Sequence, residues 1–215
     1  RYRPGDRLPS EAALAARFGV NRHTVRRALA AMAGAGLVHA RRGAGVTVLR
    51  GPTEYPIGPR VRFHRNLQAA GRLPARELDA LETRAAGADE AAVLELAAGA
   101  PVVVCEGRSL ADGQPIALFR SVFPADRLPG IADALRALAS VTAALARCGV
   151  ADYTRRSTRI DARHADATQA ARLMLAEGAA LLRTVSVSVD PDGVPVEYGT
   201  TWFAGERVTL TLAEP

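Results

Sequence analysis

Residues 9–48 read PSEAALAARFGVNRHTVRRALAAMAGAGLVHARRGAGVTV, and their spacing decides how this end of the chain folds. Leu14, Ala15 and Phe18 recur at helical spacing behind Ser10, whose hydroxyl suits an N-cap. Gly19 breaks that helix, Asn21 caps a second, and Val25, Leu29 and Met32 repeat along it. Ala15, Gly19 and Val25 supply what two helices crossing through a tight turn need. The small residue permits close approach, the glycine takes the turn, and the branched residue seals the crossing. Gly36 stops the second helix, and residues 37–40 and 46–48 predict two short strands joined by Arg41-Arg42-Gly43-Ala44-Gly45.

A helix-turn-helix with a basic β-hairpin behind it points to DNA. The first turn of a second helix of this kind meets base edges, which singles out Asn21, Arg22, His23 and Thr24, with Arg26 one turn on. Arg22 and Arg26 stand at i and i+4 on one face, and either suits a bidentate contact to guanine. Ser10 and Thr24 suit phosphates. Arg27 rotates away and stays open between a contact and a solvated charge. Arg41, Arg42, Gly43 and Gly45 have the composition of a wing, where glycine lets the backbone approach a groove and arginine suits the minor groove and phosphates. A helical hairpin and β-hairpin packed for structure alone is the weaker alternative, because caps, charge and tip agree.

Charge is distributed to match. The 215 residues carry 28 basic and 22 acidic side chains, a net +6, and every basic one of them is arginine. Residues 1–50 hold ten arginines against Asp6 and Glu11, so +8, which leaves −2 for the remainder. A basic head on a near-neutral body is the footprint of a nucleic-acid module joined to something else. Cys105 and Cys148 sit in apolar patterns and read as buried reduced thiols of a cytoplasmic protein. No apolar run approaches a membrane span and no signal peptide opens the sequence, so no membrane partner is expected.

The sequence predicts a first domain over residues 1–50, a linker over 51–60 with three prolines and two glycines, and a second domain over 61–215. In the second domain, helices are expected over 63–70, 89–97, 131–138, 140–147 and 166–175. Strands are expected over 75–84, 102–110, 115–123, 153–164, 181–189, 194–203 and 207–212, with Asp112-Gly113 and Asp190-Pro191-Asp192-Gly193 as turns. Strands joined mainly by hairpins with helices between them give an α+β domain on one antiparallel sheet, behind an N-terminal winged helix-turn-helix. No internal repeat stands out beyond a general alanine enrichment.

The run PGDRLPSE, then LAxRFGVNRxTVRRAL, then GLVxxRRGxGVxV, resembles the GntR family of bacterial transcription regulators. The resemblance implies a repressor that binds a palindromic operator in double-stranded DNA as a homodimer and answers to a small-molecule effector. The family pattern has a further helix ahead of position 1 that is not in this sequence. Ala12 stands where many relatives place arginine or another polar residue that helps contact DNA. VRFxxNLxxxG, the Ala111-Asp112-Gly113 hairpin and VPVEYGTTWFAGERVTL resemble the effector domain of the HutC branch, called UTRA, which shares its fold with chorismate lyase. The details resemble phosphonate-metabolism regulators of the PhnF type.

The resemblance also implies an effector held between the sheet and its covering elements, carrying an anionic group, with no cofactor or metal. Candidates are polar residues on elements otherwise built for burial. Arg62, His64 and Asn66 flank the start of the helix at Phe63, whose amides could hold an anion, and Arg108 ends an apolar strand. Regular alternation puts Arg156 and Thr158 on one side of their strand, Ser157 and Arg159 on the other. Glu197 and Thr201 share a face, with Tyr198 beside them, and a glutamate there suits an amine or hydroxyl of the effector. Paired arginines recognise phosphate or phosphonate through two parallel bonds, and the same set would hold a sugar phosphate, sulfate or carboxylate. Beside a non-specific architectural DNA binder, a chorismate lyase-like enzyme is the remaining alternative. It rests on fold alone, and the sequence has no G-x-S-x-G elbow, metal-spaced His/Cys set or phosphate-binding glycine loop.

Overall fold

A computed structural model of the chain describes residues 2, 5–34, 37–41, 45–48 and 51–212. The chain divides into two units, residues 1–53 and 54–215. In the first, α1 (Glu11–Phe18) is capped by Ser10, whose side chain accepts from the Ala13 amide at 3.2 Å. Gly19 closes it in the left-handed region at φ 65°, donating to the Ala15 carbonyl. Asn21 Oδ1 accepts from the Thr24 amide at 2.8 Å and so starts α2 (Arg22–Gly34). Strands β1 (Val38–Arg41) and β2 (Gly45–Val48) pair antiparallel behind the helices.

Leu8, Leu14, Ala15, Val25, Leu29 and Val38 form the core of this unit. Phe18, which helical spacing places with Leu14 and Ala15, is 66% exposed, with the Arg17 guanidinium 5.7 Å from its ring centre. Met32, at 36%, also lies outside the core.

The second unit is built on a sheet of order β4-β5-β6-β9-β8-β7, antiparallel throughout. Its strands are β4 (Pro74–Ala85), β5 (Pro101–Ala111), β6 (Gln114–Pro124), β7 (Thr154–His164), β8 (Ala180–Val189) and β9 (Pro195–Ala204). One face carries α5 (Ile131–Leu138) and α6 (Val141–Arg147) over Val103, Cys105, Phe119 and Phe123, with α3 (Phe63–Ala69) packed on a second cluster that includes Ala117 and Phe203. The other face carries α4 (Ala88–Leu94) over Val102, Val104 and Val122, and α7 (Ala167–Leu173) over Leu118 and Leu181.

Two expectations change here. Residues 53–56, placed in a linker, form strand β3 (Thr53–Pro56), which pairs with β10 (Val208–Thr211) in a separate two-stranded sheet. Pairing satisfies backbone groups that a bare linker would leave to water, and it lets Tyr55 bury to 3% exposure. The last strand is therefore claimed by β3 rather than by β9.

The second unit is also internally repeated, where no repeat is expected from the sequence. The series β4, α4, β5, β6 recurs as β7, α7, β8, β9. Helix α4 ends at Glu95 and α7 at Met174, both at φ 54°. Arg127 then donates to the carbonyls of Leu94, Glu95 and Pro195, and Arg207 to those of Leu173, Met174 and Pro115. Each arginine thus ties the C-terminus of one half's helix to the strand start of the other half. Arg120 and Thr200, equivalent positions, pair with one another across β6 and β9. The repetition is legible in the sequence only around the helices, where nine of the fifteen residues 86–100 recur in 165–179; the general alanine enrichment masks it there, and the strands preserve burial pattern more than identity.

The Arg207 contacts generate a stability test. Replacing Arg207 with Met keeps the buried stem but leaves three carbonyls without their donor, and the expected loss is about 3 kcal/mol in urea unfolding. An unchanged urea midpoint would show that water serves those carbonyls equally well.

Candidate nucleic-acid interface and ligand pocket

Burial of Val25 and Leu29 turns the opposite side of α2 to solvent. Asn21, Arg22, His23, Thr24 and Arg26 are all exposed there. Asn21 and Thr24 are partly committed to each other, the Thr24 hydroxyl donating to Asn21 Oδ1 at 3.0 Å, and the Ser10 hydroxyl is engaged in capping. Arg27, left open by the sequence, joins Asn21, His23 and Thr24 around one shallow groove. Arg26 is held by Glu11 of α1 through two bonds.

Of the wing residues, Arg41 closes β1 opposite Gly45, while Arg42 and Gly43 lie outside the described residues. Gly45 has φ 86°, and a Cβ there would sit 2.7 Å from Arg7 Nε. Arg7, which sequence reasoning passed over, therefore stacks its guanidinium against the wing's backbone, beside its own β-bridge to Thr47.

In the second unit a pocket opens on the sheet face that carries α3 and α6. Ser109, Glu197, Thr201 and Phe203 form its floor. Phe63 and His64 of α3, and Ser140, Val141 and Thr142 at the start of α6, form its walls, with Tyr55, Val61 and Tyr153. Arg76 comes in from β4 and Arg155 from β7, the two edge strands of the sheet.

Arg76 pairs across β4 and β5 with Ser109, and Arg155 across β7 and β8 with Ser188, equivalent places in the two halves. The Arg76 guanidinium packs over the Phe119 ring at 4.4 Å and the Phe63 ring at 5.0 Å, and its Nε is buried without a hydrogen bond. Among the described residues no ion pair engages Arg76 or Arg155. Glu197 is, among the described residues, the one carboxylate in the lining; it accepts from Ser121 Oγ at 2.8 Å and from Ser188 Oγ at 3.2 Å. Tyr153 hydrogen-bonds Thr142 Oγ1 at 2.9 Å, and burial raises the pKa of its phenol. Burial, with the Arg76 charge beside it, holds the His64 imidazole below its ordinary range.

Of the sequence-predicted pocket residues, Phe63, His64, Glu197 and Thr201 are brought together. The others are not. Arg62 packs its guanidinium 3.5 Å from the Tyr153 ring centre and donates to the Tyr153 carbonyl, so it backs the wall from behind. Asn66 donates to the Pro56 carbonyl at 3.1 Å. Register puts Arg108 and Tyr198 on the opposite face, Arg108 paired with Glu77 at 2.5 Å and Tyr198 packed near α4.

Arg156 is the extra residue of a β-bulge between Arg155 and Ser157, and it pairs with Glu95 at 2.8 Å. The bulge breaks the alternation that the sequence reading assumed. It gives the pocket face to Arg155 in place of Arg156, and leaves Thr158 on that face but outside the lining. Aligning the two halves would have found the arginines, since Arg76 then falls on Arg155 and Ser109 on Ser188.

A basic helix-turn-helix followed by an α+β unit with an arginine-lined pocket is the layout of a one-chain DNA-binding regulator. Comparison with known proteins agrees. A family model described as bacterial regulatory proteins, gntR family, matches residues 1–48, and one described as the UTRA domain matches residues 69–209. An HTH-type transcriptional regulator of Rhizobium meliloti is 43% identical over 206 residues, 95% of this chain and 84% of the relative. The HTH-type transcriptional repressor PhnF of Mycolicibacterium smegmatis is 33% identical over 209 residues, 97% of this chain and 84% of the relative.

The crystal structure of PhnF from Mycobacterium smegmatis superposes with a TM-score of 0.72 at 32% identity, covering 100% of this chain and 94% of that one. The chain belongs to the GntR family of transcriptional regulators, in the group that carries a UTRA domain. It is a DNA-binding regulator of the PhnF type, and its relatives are regulators rather than enzymes. No described helix is long and apolar enough to cross a membrane.

The electrostatics of the pocket can be read through His64. Its folded pKa is depressed, so the neutral ring is the favoured form and stability is full above the ordinary value of 6.5. That contribution is lost as pH falls from 6.5 through the folded pKa. An NMR titration should place the His64 midpoint below 6.5, and Arg76→Gln should move it upward. A midpoint indifferent to Arg76→Gln would remove the arginine from the imidazole's surroundings.

Proposed function

We propose that this chain is a cytoplasmic, homodimeric repressor of the HutC branch that binds a palindromic operator and is released by a small anionic effector. The effector binds the pocket of the second unit, its anionic group between Arg76 and Arg155 and an amine or hydroxyl on Glu197. Phosphonates and phosphate lead the candidates; a sugar phosphate or carboxylate is the second. The observation that carries this reading is the pair of arginines. They reach one pocket from opposite edges of the sheet, and among the described residues no ion pair neutralises either.

Two guanidiniums against the single carboxylate of Glu197, which is already engaged by two serines, leave a part-buried site that favours an anion, because low local dielectric strengthens charge-assisted bonds. The serine and threonine hydroxyls around them supply further donors. Glu197 has no acidic counterpart in the other half, where Ala117 holds the equivalent place, so the pocket is asymmetric at that point and suits a ligand with two unlike ends. Arg22, Arg26, Arg27 and the wing supply the DNA contacts. Binding at the second unit would select one spacing of two α2 helices, set against the ~34–36 Å between successive major-groove half-sites.

A thermal-unfolding screen with phosphate, simple and amino-substituted phosphonates, an amino-sugar phosphate and citrate tests the pocket. A ligand at a hundred times its dissociation constant should stabilise by ~2.7 kcal/mol, and the shift should vanish in Arg76→Gln and Arg155→Gln. Glu197→Gln should lower the response to amino-substituted ligands more than to phosphate. An anion that stabilises the Arg76→Gln, Arg155→Gln double variant as well as the parent would place the effector elsewhere.

A further inference from the structure

Arg22 and Arg26 share the exposed face of α2, yet they are held differently. Arg26 is already gripped: its Nε donates to Glu11 Oε1 at 3.2 Å and its Nη2 to Glu11 Oε2 at 2.8 Å. The bond pair joins the first turn of α1 to α2 across the helix crossing, and no hydrogen bond from Arg22 to a described acid matches it. With side-chain exposures of 68% and 36%, such a pair does little for stability. Its consequence is geometric. A fork through Nε and Nη2 fixes the guanidinium plane and occupies one edge of it. The Nη1 group and the second hydrogen of Nη2 are left at the far end. That end has the donor spacing that matches O6 and N7 of guanine.

We propose that Glu11 is a positioning residue for base recognition, which orients Arg26 so that its free end faces the groove. The proposal rests on the reading that this face of α2 contacts bases. Glu11 acts in a second way through charge. Placed against Arg26, its carboxylate cancels much of the field that would otherwise draw the side chain to any phosphate, so Arg26 is held in reserve for a base edge. The same guanidinium holds the Glu11 pKa below the usual carboxylate range, so the group is ionised wherever DNA binding is measured. Arg22, which has no such brace among the described residues, follows the backbone or the base as the duplex demands.

Selection of binding sites from a pool of random-sequence duplexes separates these roles. The full chain is compared with Glu11→Gln, Glu11→Asp, Arg26→Ala and the Glu11→Gln, Arg26→Ala double variant, with melting temperature recorded for each. Arg26→Ala should erase preference at one base pair of each half-site. Glu11→Gln should weaken that same preference roughly tenfold, the order of one guanine contact, with equal or tighter binding to mixed-sequence DNA. Glu11→Asp, one methylene shorter, should fall between, and the double variant should match Arg26→Ala. Unchanged base preference in Glu11→Gln, or a loss of binding equal for all sequences that follows a fall in melting temperature, overturns the proposal. If Arg26→Ala itself leaves every preference intact, the base-contact reading of Arg26 fails and the proposal falls with it.

Discussion

Antiparallel pairing of β6 with β9, through Arg120 and Thr200, is the contact on which the larger unit depends. Each half alone is a helix-covered three-stranded meander with an unsatisfied strand at its inner edge. Joining the halves there satisfies both inner strands at once and sends β4 and β7 to opposite edges of one sheet. Arg127 and Arg207 lock the join, each bonding to backbone of both halves. Because the halves are related by a local twofold, whatever an edge strand offers is offered twice. Arg76 and Arg155 are the outcome: two cations on one face, converging over the middle of the sheet.

Sheet parity then decides which side chains can take part. Glu197, Gly199, Thr201 and Phe203 point to the face that α3 and α6 cover, while Tyr198 and Trp202 point to the face under α4 and α7. A bulge in β7 changes the count by one and substitutes Arg155 for Arg156. Single-residue displacements of this kind move a charge by the full thickness of the sheet. They are among the cheapest ways for a strand to re-aim a side chain.

In the smaller unit the same logic runs through helix caps. Ser10, Gly19 and Asn21 fix where α1 stops and α2 starts, and burial of Leu14, Ala15, Val25 and Leu29 fixes which side of α2 faces out. The basic residues occupy that outer side because no other is left to them. Phe18 and Met32, on the same two helices, lie outside that core.

The sequence by itself determined the helix-turn-helix, nearly every strand and helix of the second unit, and the family. Those features rest on caps, turns and periodicities that neighbours in the chain settle among themselves. Asn21 caps whatever helix follows it, and Asp112-Gly113 turns the chain whatever lies on either side. Four pocket residues, Phe63, His64, Glu197 and Thr201, were legible for the same reason, as polar or aromatic positions in strong local patterns. The pairing of β3 with β10, the halves meeting at β6 and β9, the bulge at Arg156 and the convergence of Arg76 with Arg155 were decided only in three dimensions. Each depends on a hydrogen-bond partner far away in sequence, and one residue of register is enough to move a side chain from the pocket to the opposite face.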